Sequence, residues 1–333
     1  MTNITYDTIP GSEKLDDNDV ILVTGGTGLF GKGIEEVVQT LKLKGKFYFA
    51  GSKDGNLKNL DECEKLFEKV KPTYVLHLAA FVGGLFRNMK YKVDFWLDNV
   101  NMNNNVLRCC HKHNVKKTVS CLSTCIFPDK VSYPIHEDVL HNGPPHFSND
   151  AYAYAKRMLD MTSRWFNQQY YEGEARFTSV IPTNLYGKYD NFNIQDGHVL
   201  PGLMHKIYLA QKNGTDYVVY GTGKPLRQFC YNVDAARMIL WTLLNYTEEE
   251  PLIISVPEED EVSIADVAKT IAEEFKFEKE IKFDTEKADG QYKKTASNDK
   301  FKKLYPDFKF TPFKDAIAET VQWFQANYET VRK

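Results

Sequence analysis

Apolar residues fall in short blocks along the chain, separated by longer stretches in which they recur at helical spacing. The first block, Val20-Ile21-Leu22-Val23-Thr24, reads as a short buried strand. Glycines follow it, and then Leu29, Ile34, Val37, Val38 and Leu41 recur on one side of a helix that Gly45 is expected to close. Further blocks predict strands at 47–50, 74–79, 118–122 and 178–181, with helix-length patterns in the gaps after the first. Alternation of this kind implies a parallel sheet with helices on both faces. Past about residue 185 the pattern loosens into a loop bearing Gly, Asn and Pro, then mixed helices and short strands, ending in a helix that includes Val321 to Phe324. The expected organisation is a polar, flexible lead-in at 1–18, a large α/β domain at 19–185, and a smaller mixed α/β region at 186–333, parts of which pack back on the first.

Composition narrows the class of protein. With 333 residues, 42% of them hydrophobic and 26% charged, the chain suits a large layered domain with a smaller companion. No stretch approaches the roughly 20 apolar residues of a membrane span, and the segment from Met1 to Asp19 lacks an apolar signal core, so the cytosol is the expected address. The six cysteines show neither zinc spacing nor the density of a disulfide scaffold, which suits reduced thiols and no bound metal. A net charge of -3 argues against general nucleic-acid binding, which needs an excess of Lys and Arg to displace counterions.

The run from Thr24 to Gly31 places Gly25, Gly26, Thr27, Gly28, Leu29, Phe30 and Gly31 between strand and helix. A pyrophosphate reaches the free amides of a helix N-terminus only where no β-carbon blocks the backbone, so this spacing points to a dinucleotide in a Rossmann-type doubly wound sheet. At the end of the second strand an acidic side chain would suit the NAD 2'-hydroxyl and repel the NADP 2'-phosphate. Ser52 and Lys53 there favour NADP(H), while Asp54 keeps NAD open because a shift of one residue would bring its carboxylate to the ribose.

Tyr152 and Lys156 stand four apart, hence on one face of a helix, and a neighbouring ammonium favours the phenolate that exchanges a proton with a carbonyl oxygen. Ser123 falls at the C-terminal end of a predicted central strand, where ligands bind in open parallel sheets. Cys125, two residues on, is expected to face the same side if the strand continues. His198 sits in a loop rich in Gly and Asp that can close over such a site. Read without the other motifs, each is an ordinary residue: a turn without ligand, a surface Tyr and Lys pair, a small buried thiol, an exposed histidine.

Taken together, the glycine pattern, strand-end serine and Tyr-x-x-x-Lys pair resemble the extended short-chain dehydrogenase/reductase superfamily. Narrower strings at 123–128, 182–187, 190–199 and 221–229 are similar to those of the GDP-L-fucose synthase family, over a span from Val20 to the C-terminal helix. The resemblance implies a bifunctional NADPH-dependent 3,5-epimerase/4-reductase acting on GDP-4-keto-6-deoxy-D-mannose. Ser123, Tyr152 and Lys156 would form its reductase core, and Cys125 and His198 its epimerisation pair. It further implies cofactor contacts from Ala79, Leu122, Pro182, Asn184, Leu185 and His198, and substrate contacts from Lys206, Tyr220, Arg227 and Asp289. A homodimer built on helices at 95–112 and 151–170 is also implied. Tyr220 departs from a frequent tryptophan, leaving its stacking role open, and Lys206 lacks the two-pronged grip of the arginine some members carry. The rival readings are another nucleotide-sugar epimerase or dehydratase of the superfamily, and a non-catalytic sensor of NADP(H).

Overall fold

The computed structural model describes residues 4–287, 289 and 291–333. The five expected strands are β1 (Val20–Thr24), β2 (Lys46–Ala50), β3 (Tyr74–His77), β4 (Lys117–Cys121) and β5 (Phe177–Pro182). The helices around them are α1 (Leu29–Leu41), α2 (Leu60–Val70), α3 (Leu85–Lys90), α4 (Lys92–Lys112) and α5 (Asp150–Tyr170). Beyond them lie β6 (Asn184–Tyr186), α6 (Val199–Asn213), β7 (Tyr217–Tyr220), β8 (Leu226–Arg227), β9 (Phe229–Tyr231), α7 (Asn232–Asn245) and β10 (Leu252–Ile254). β11 (Val262–Ser263), α8 (Ile264–Phe275), β12 (Ile281–Asp284), α9 (Asp299–Leu304) and α10 (Phe313–Ala326) complete the chain.

A six-stranded parallel sheet in the order β10-β5-β4-β3-β1-β2 forms the centre, the Rossmann-type α/β fold. Strand order reverses between β1 and β3, which opens a crevice at their C-terminal ends. Side-chain alternation along β1 divides the two cores: Ile21 and Val23 join the cluster with α1, α7 and α10, whereas Leu22 joins the cluster with α2, α4 and α5. β5 is buried along its whole length, as a central strand covered on both faces should be. Helix α1 ends earlier than Gly45 suggests: Lys42 takes the left-handed conformation and its N–H bonds to Val38 O, while Gly45 turns the chain into β2.

The chain beyond β5 returns to the sheet twice. α7 packs so closely on α1 that a β-carbon at Gly33 would lie 2.6 Å from the Asn232 carbonyl oxygen, and β10 extends the sheet beside β5. The remaining strands form two-stranded pairs, β6 with β9, β7 with β12 and β8 with β11.

Residues 4–18 are not the flexible lead-in their polarity suggests. Ile9 and Leu15 are buried in the larger core, Lys14 Nζ donates to Leu244 O at 3.2 Å, and Asn245 Nδ2 donates to Pro10 O at 2.7 Å. Those two buried apolar side chains, each contributing about 1.5–3 kcal/mol, act together with the hydrogen bonds to α7 to anchor the polar segment.

Candidate active site

The phosphate turn is built by backbone. Gly25 has φ 68°, and a β-carbon there would lie 2.8 Å from the Ala79 nitrogen; one at Gly31 would lie 2.5 Å from Gly26 Cα. Gly28 starts α1 without a side-chain cap, and the first turn carries no acidic residue. Its unpaired amides and the helix dipole therefore remain free for an anion, so the cradle fits the pyrophosphate of a dinucleotide. Ala79 follows β3, its N–H donating to Thr24 Oγ1 at 3.3 Å, and buried Leu122 follows β4. Pro182 ends β5, and Asn184 and Leu185 lie in β6, where Asn184 Nδ2 donates to Gln228 O at 3.0 Å. Beneath the turn, buried His77 bonds Thr24 Oγ1 through Nδ1 (2.8 Å) and Asn103 Oδ1 through Nε2 (3.0 Å). Burial, with Lys156 nearby, pushes this imidazole down to about 3, so it stays neutral.

The turn at the end of β2 shows where the Asp54 carboxylate goes. Asp54 turns back on its own loop, Oδ1 accepting from Tyr48 OH at 2.7 Å and Oδ2 from the Gly51 amide at 2.9 Å. The Tyr48 hydroxyl, then the Gly51 amide, hold the carboxyl below its ordinary range. Ser52 and Lys53 are exposed on the same turn.

The candidate catalytic residues come from separate elements. Ser123 is extended (φ -163°, ψ 148°), and the chain then enters a 3-10 turn over Thr124–Ile126. The strand geometry expected to orient Cys125 therefore stops at Cys121; the turn instead brings the Cys125 amide to Ser123 Oγ at 3.5 Å. α5 presents Tyr152 and Lys156 on one face, with Lys156 Nζ 5.9 Å from the Tyr152 ring centre and donating to Cys121 O at 2.7 Å. Burial drives the Lys156 ammonium below its ordinary value, although Cys121 and Cys125 oppose it. Burial, and next the nearby Cys125 and Cys121, push the Tyr152 phenol well above its own. Burial therefore opposes the phenolate that a neighbouring ammonium would favour, with Lys156 Nζ 5.9 Å from the Tyr152 ring centre.

Cys125 has a neighbour that sequence spacing did not disclose. Burial pushes its thiol up, opposed by the Ser123 hydroxyl and then by the ammonium groups of Lys294 and Lys156. Lys294, pulled down by burial and raised foremost by Cys125, arrives from the polar segment after β12, where its only local signal is one lysine among several.

His198 is exposed at the N-terminus of α6. Asn193 closes its loop, Oδ1 accepting from the amides of Gln195 (2.8 Å) and Asp196 (2.9 Å), and Phe192 N–H bonds to Arg332 O at 2.8 Å. A β-carbon at Gly84 would sit 3.9 Å from Asp196 Cα, and one at Gly83 would sit 3.1 Å from the Phe95 ring, which packs edge-on at 6.4 Å against Tyr152. The His198 loop and Tyr152 are thus linked through the Gly83–Gly84 segment and buried Phe95. Buried Asp190 leads into this loop; burial pushes it up to about 6, opposed first by His198.

Farther out, Lys206 Nζ lies 3.3 Å from the centre of the Tyr220 ring. Tyr220 therefore carries a cation on one face while remaining 57% exposed. Half-buried Arg227 lies in β8, where burial pulls its guanidinium down against Glu261 and Tyr133. Asp289 is exposed and accepts from Thr222 N (2.8 Å) and Thr222 Oγ1 (2.6 Å), bracing the turn after Tyr220. Among the described residues no group of three or more His, Cys, Asp or Glu is placed to hold a metal ion.

Residues 21–256 match the NAD dependent epimerase/dehydratase family. The chain is 59% identical over 314 residues to the GDP-L-fucose synthase of Dictyostelium discoideum, covering 94% of this chain and 97% of that one. It is 47% identical over 321 residues to a probable GDP-L-fucose synthase of Drosophila melanogaster, covering 94% and 99%. The crystal structure of a GDP-L-fucose synthetase from Naegleria fowleri bound to NADP superposes with a TM-score of 0.93 at 66% identity, over 96% of each chain. Glycine cradle, Ser-Tyr-Lys group and these likenesses agree, and the chain belongs to the NAD dependent epimerase/dehydratase family, among its GDP-L-fucose synthases.

Proposed function

We propose that this chain converts GDP-4-keto-6-deoxy-D-mannose to GDP-L-fucose, inverting C3 and C5 and reducing C4 with NADPH. The observation that carries this reading is the gathering of Ser123, Cys125, Tyr152, Lys156 and Lys294 at the C-terminal edge of the sheet, beside the free N-terminus of α1. A simple reductase needs no thiol beside the catalytic serine.

The C4 ketone makes the hydrogens on C3 and C5 acidic. Cys125 takes one, and Lys294 and Lys156 lower the cost of its thiolate. His198 returns a proton to the opposite face, which inverts the centre. Ser123 and the Tyr152 hydroxyl hold the enolate oxygen meanwhile. The turn of Gly25 to Gly31 would hold NADPH, with Ser52 and Lys53 at its ribose, and when bound the cofactor would provide the hydride for C4. Tyr152 gives its proton to the C4 oxygen, and Lys156 supports the tyrosinate that results. Lys206, Tyr220, Arg227 and Asp289 would contact the GDP-sugar, a reading supported by the Lys206 ammonium over the Tyr220 ring at 3.3 Å. The test is incubation of the purified protein with NADPH and GDP-4-keto-6-deoxy-D-mannose, with product analysis. GDP-L-fucose is expected; an intact substrate, or a product epimerised at C4 alone, would overturn the reading.

Two chains would pair through α4 and α5. Val93, Leu97, Tyr154 and Trp165 are exposed there, and Val93, Trp96, Tyr154 and Met158 line a shallow apolar depression. Light scattering at micromolar concentration should give a dimer mass; a monomer would refute the pairing. Among the described residues no helix is long and apolar enough to cross a membrane.

A further inference from the structure

The turn that follows β2 holds a carboxylate one residue from the lysine assigned to the 2'-phosphate, and that placement requires an explanation. An acidic group at this end of a strand is the ordinary acceptor for an NAD 2'-hydroxyl and repels a phosphate dianion. The turn borders the phosphate cradle, since a β-carbon at Gly51 would lie 2.9 Å from Thr27 Cγ2. A freely rotating Asp54 would therefore work against Lys53.

It does not rotate freely. Asp54 N–H donates to Gly51 O at 3.1 Å, and the Gly51 amide returns a bond to Asp54 Oδ2 at 2.9 Å. Tyr48 OH donates to Asp54 Oδ1 at 2.7 Å and itself accepts from Lys69 Nζ at 2.8 Å, the ammonium standing 5.2 Å from the Tyr48 ring centre. Both carboxylate oxygens are engaged, and a cation on α2 lies behind them.

We infer that Tyr48, Lys69 and Asp54 form a cofactor-specificity lock, which holds the Asp54 charge away from the ribose so that Ser52 and Lys53 alone meet the 2'-phosphate. The lock rests on the proposed use of NADPH and extends it to residues that never touch the cofactor. These are positioning residues. Releasing the lock would bring back the NAD-type acceptor that the sequence already contains.

Calorimetric titration of NADP+ and NAD+ into the parent protein, Tyr48→Phe, Asp54→Asn and the double variant tests this, with thermal melting to confirm folding. Tyr48→Phe should weaken NADP+ about threefold to tenfold while leaving NAD+ unchanged or tighter, since only one ligand carries the extra phosphate charge. Asp54→Asn keeps the acceptor for Tyr48 without the charge and should bind NADP+ at least as well as the parent. The double variant should recover parental NADP+ affinity. An unchanged NADP+ to NAD+ ratio in folded Tyr48→Phe overturns the lock. So does a double variant as weak as the single one, which would assign the effect to the shape of the turn. If Tyr48→Phe does not fold, the exposed Lys69→Met should shift the ratio in the same direction by a smaller factor, and no shift is equally fatal. A parent that binds NAD+ better than NADP+ refutes the NADPH reading itself, a result visible before any variant is made.

Discussion

The two halves of the site are built by different means. On the cofactor side the shape is made by backbone: Gly25 and Gly31 permit contacts that no side chain would allow, and α1 offers its amides without a cap. On the substrate side the shape is made by side chains that arrive separately, Ser123 and Cys125 after β4, Tyr152 and Lys156 from α5, His198 at the head of α6, and Lys294 from beyond β12. A backbone-built half tolerates no added atom but survives many changes around it. A half built from side chains tolerates truncation structurally and fails in one chemical step at a time.

The largest effect expected falls on the substrate side. Tyr152→Phe should lower NADPH oxidation by about 10²- to 10⁴-fold, the usual worth of a positioned proton donor. The fold should persist, and stopped-flow absorbance with the keto-sugar measures the loss. Parental turnover would show that the hydride step does not use this hydroxyl.

Cys125→Ala separates the two chemistries within that half. Solvent deuterium entering C3 and C5 should fall by about 10²-fold or more, while reduction continues and diverts substrate to an unepimerised 6-deoxy sugar. Mass spectrometry of the product reads both. A folded Cys125→Ala, His198→Ala protein that still exchanges deuterium at the parental rate would remove both residues from epimerisation.

The cofactor side is tested by adding one carbon. Gly31→Ala forces a β-carbon to 2.5 Å from Gly26 Cα, so it should cost about 1–3 kcal/mol of stability by overpacking and weaken NADPH binding by displacing the turn. Thermal melting with and without NADP+ measures both. An unchanged melt would mean that the cradle yields, and the contrast between the halves would lose its basis.

The smallest effect is also the most local. Lys294→Met removes a cation that lowers the Cys125 thiol, so the thiol rises further and alkylation of Cys125 by iodoacetamide should move to higher pH. Peptide mass spectrometry across a pH series follows that one thiol. A midpoint that stays in place, or moves to lower pH, would separate Lys294 from the cysteine.

The chain's own order of residues was sufficient for whatever depends on neighbours a few positions away. The apolar run of β1, the strand-turn-helix run through Gly31 and the spacing of Tyr152 and Lys156 are set by local geometry, and each is legible before folding is considered. Recognition of Cys125, His198 and the outer contacts came from strings that resemble a family, since an isolated thiol or histidine carries no spacing to read. Tertiary structure decided the remainder. Burial, which no local pattern measures, pushes the Tyr152 phenol upward and encloses Ile9 and Leu15 of an otherwise polar segment. Lys294 comes to influence Cys125 through long-range pairing, since the segment beside it is held by Ile135, whose N–H donates to Thr295 O at 2.9 Å. Asp54 is the sharpest case: its carboxylate has the same charge in either direction, and which way it points depends on a Tyr48 hydroxyl that only the folded β2 brings within 2.7 Å.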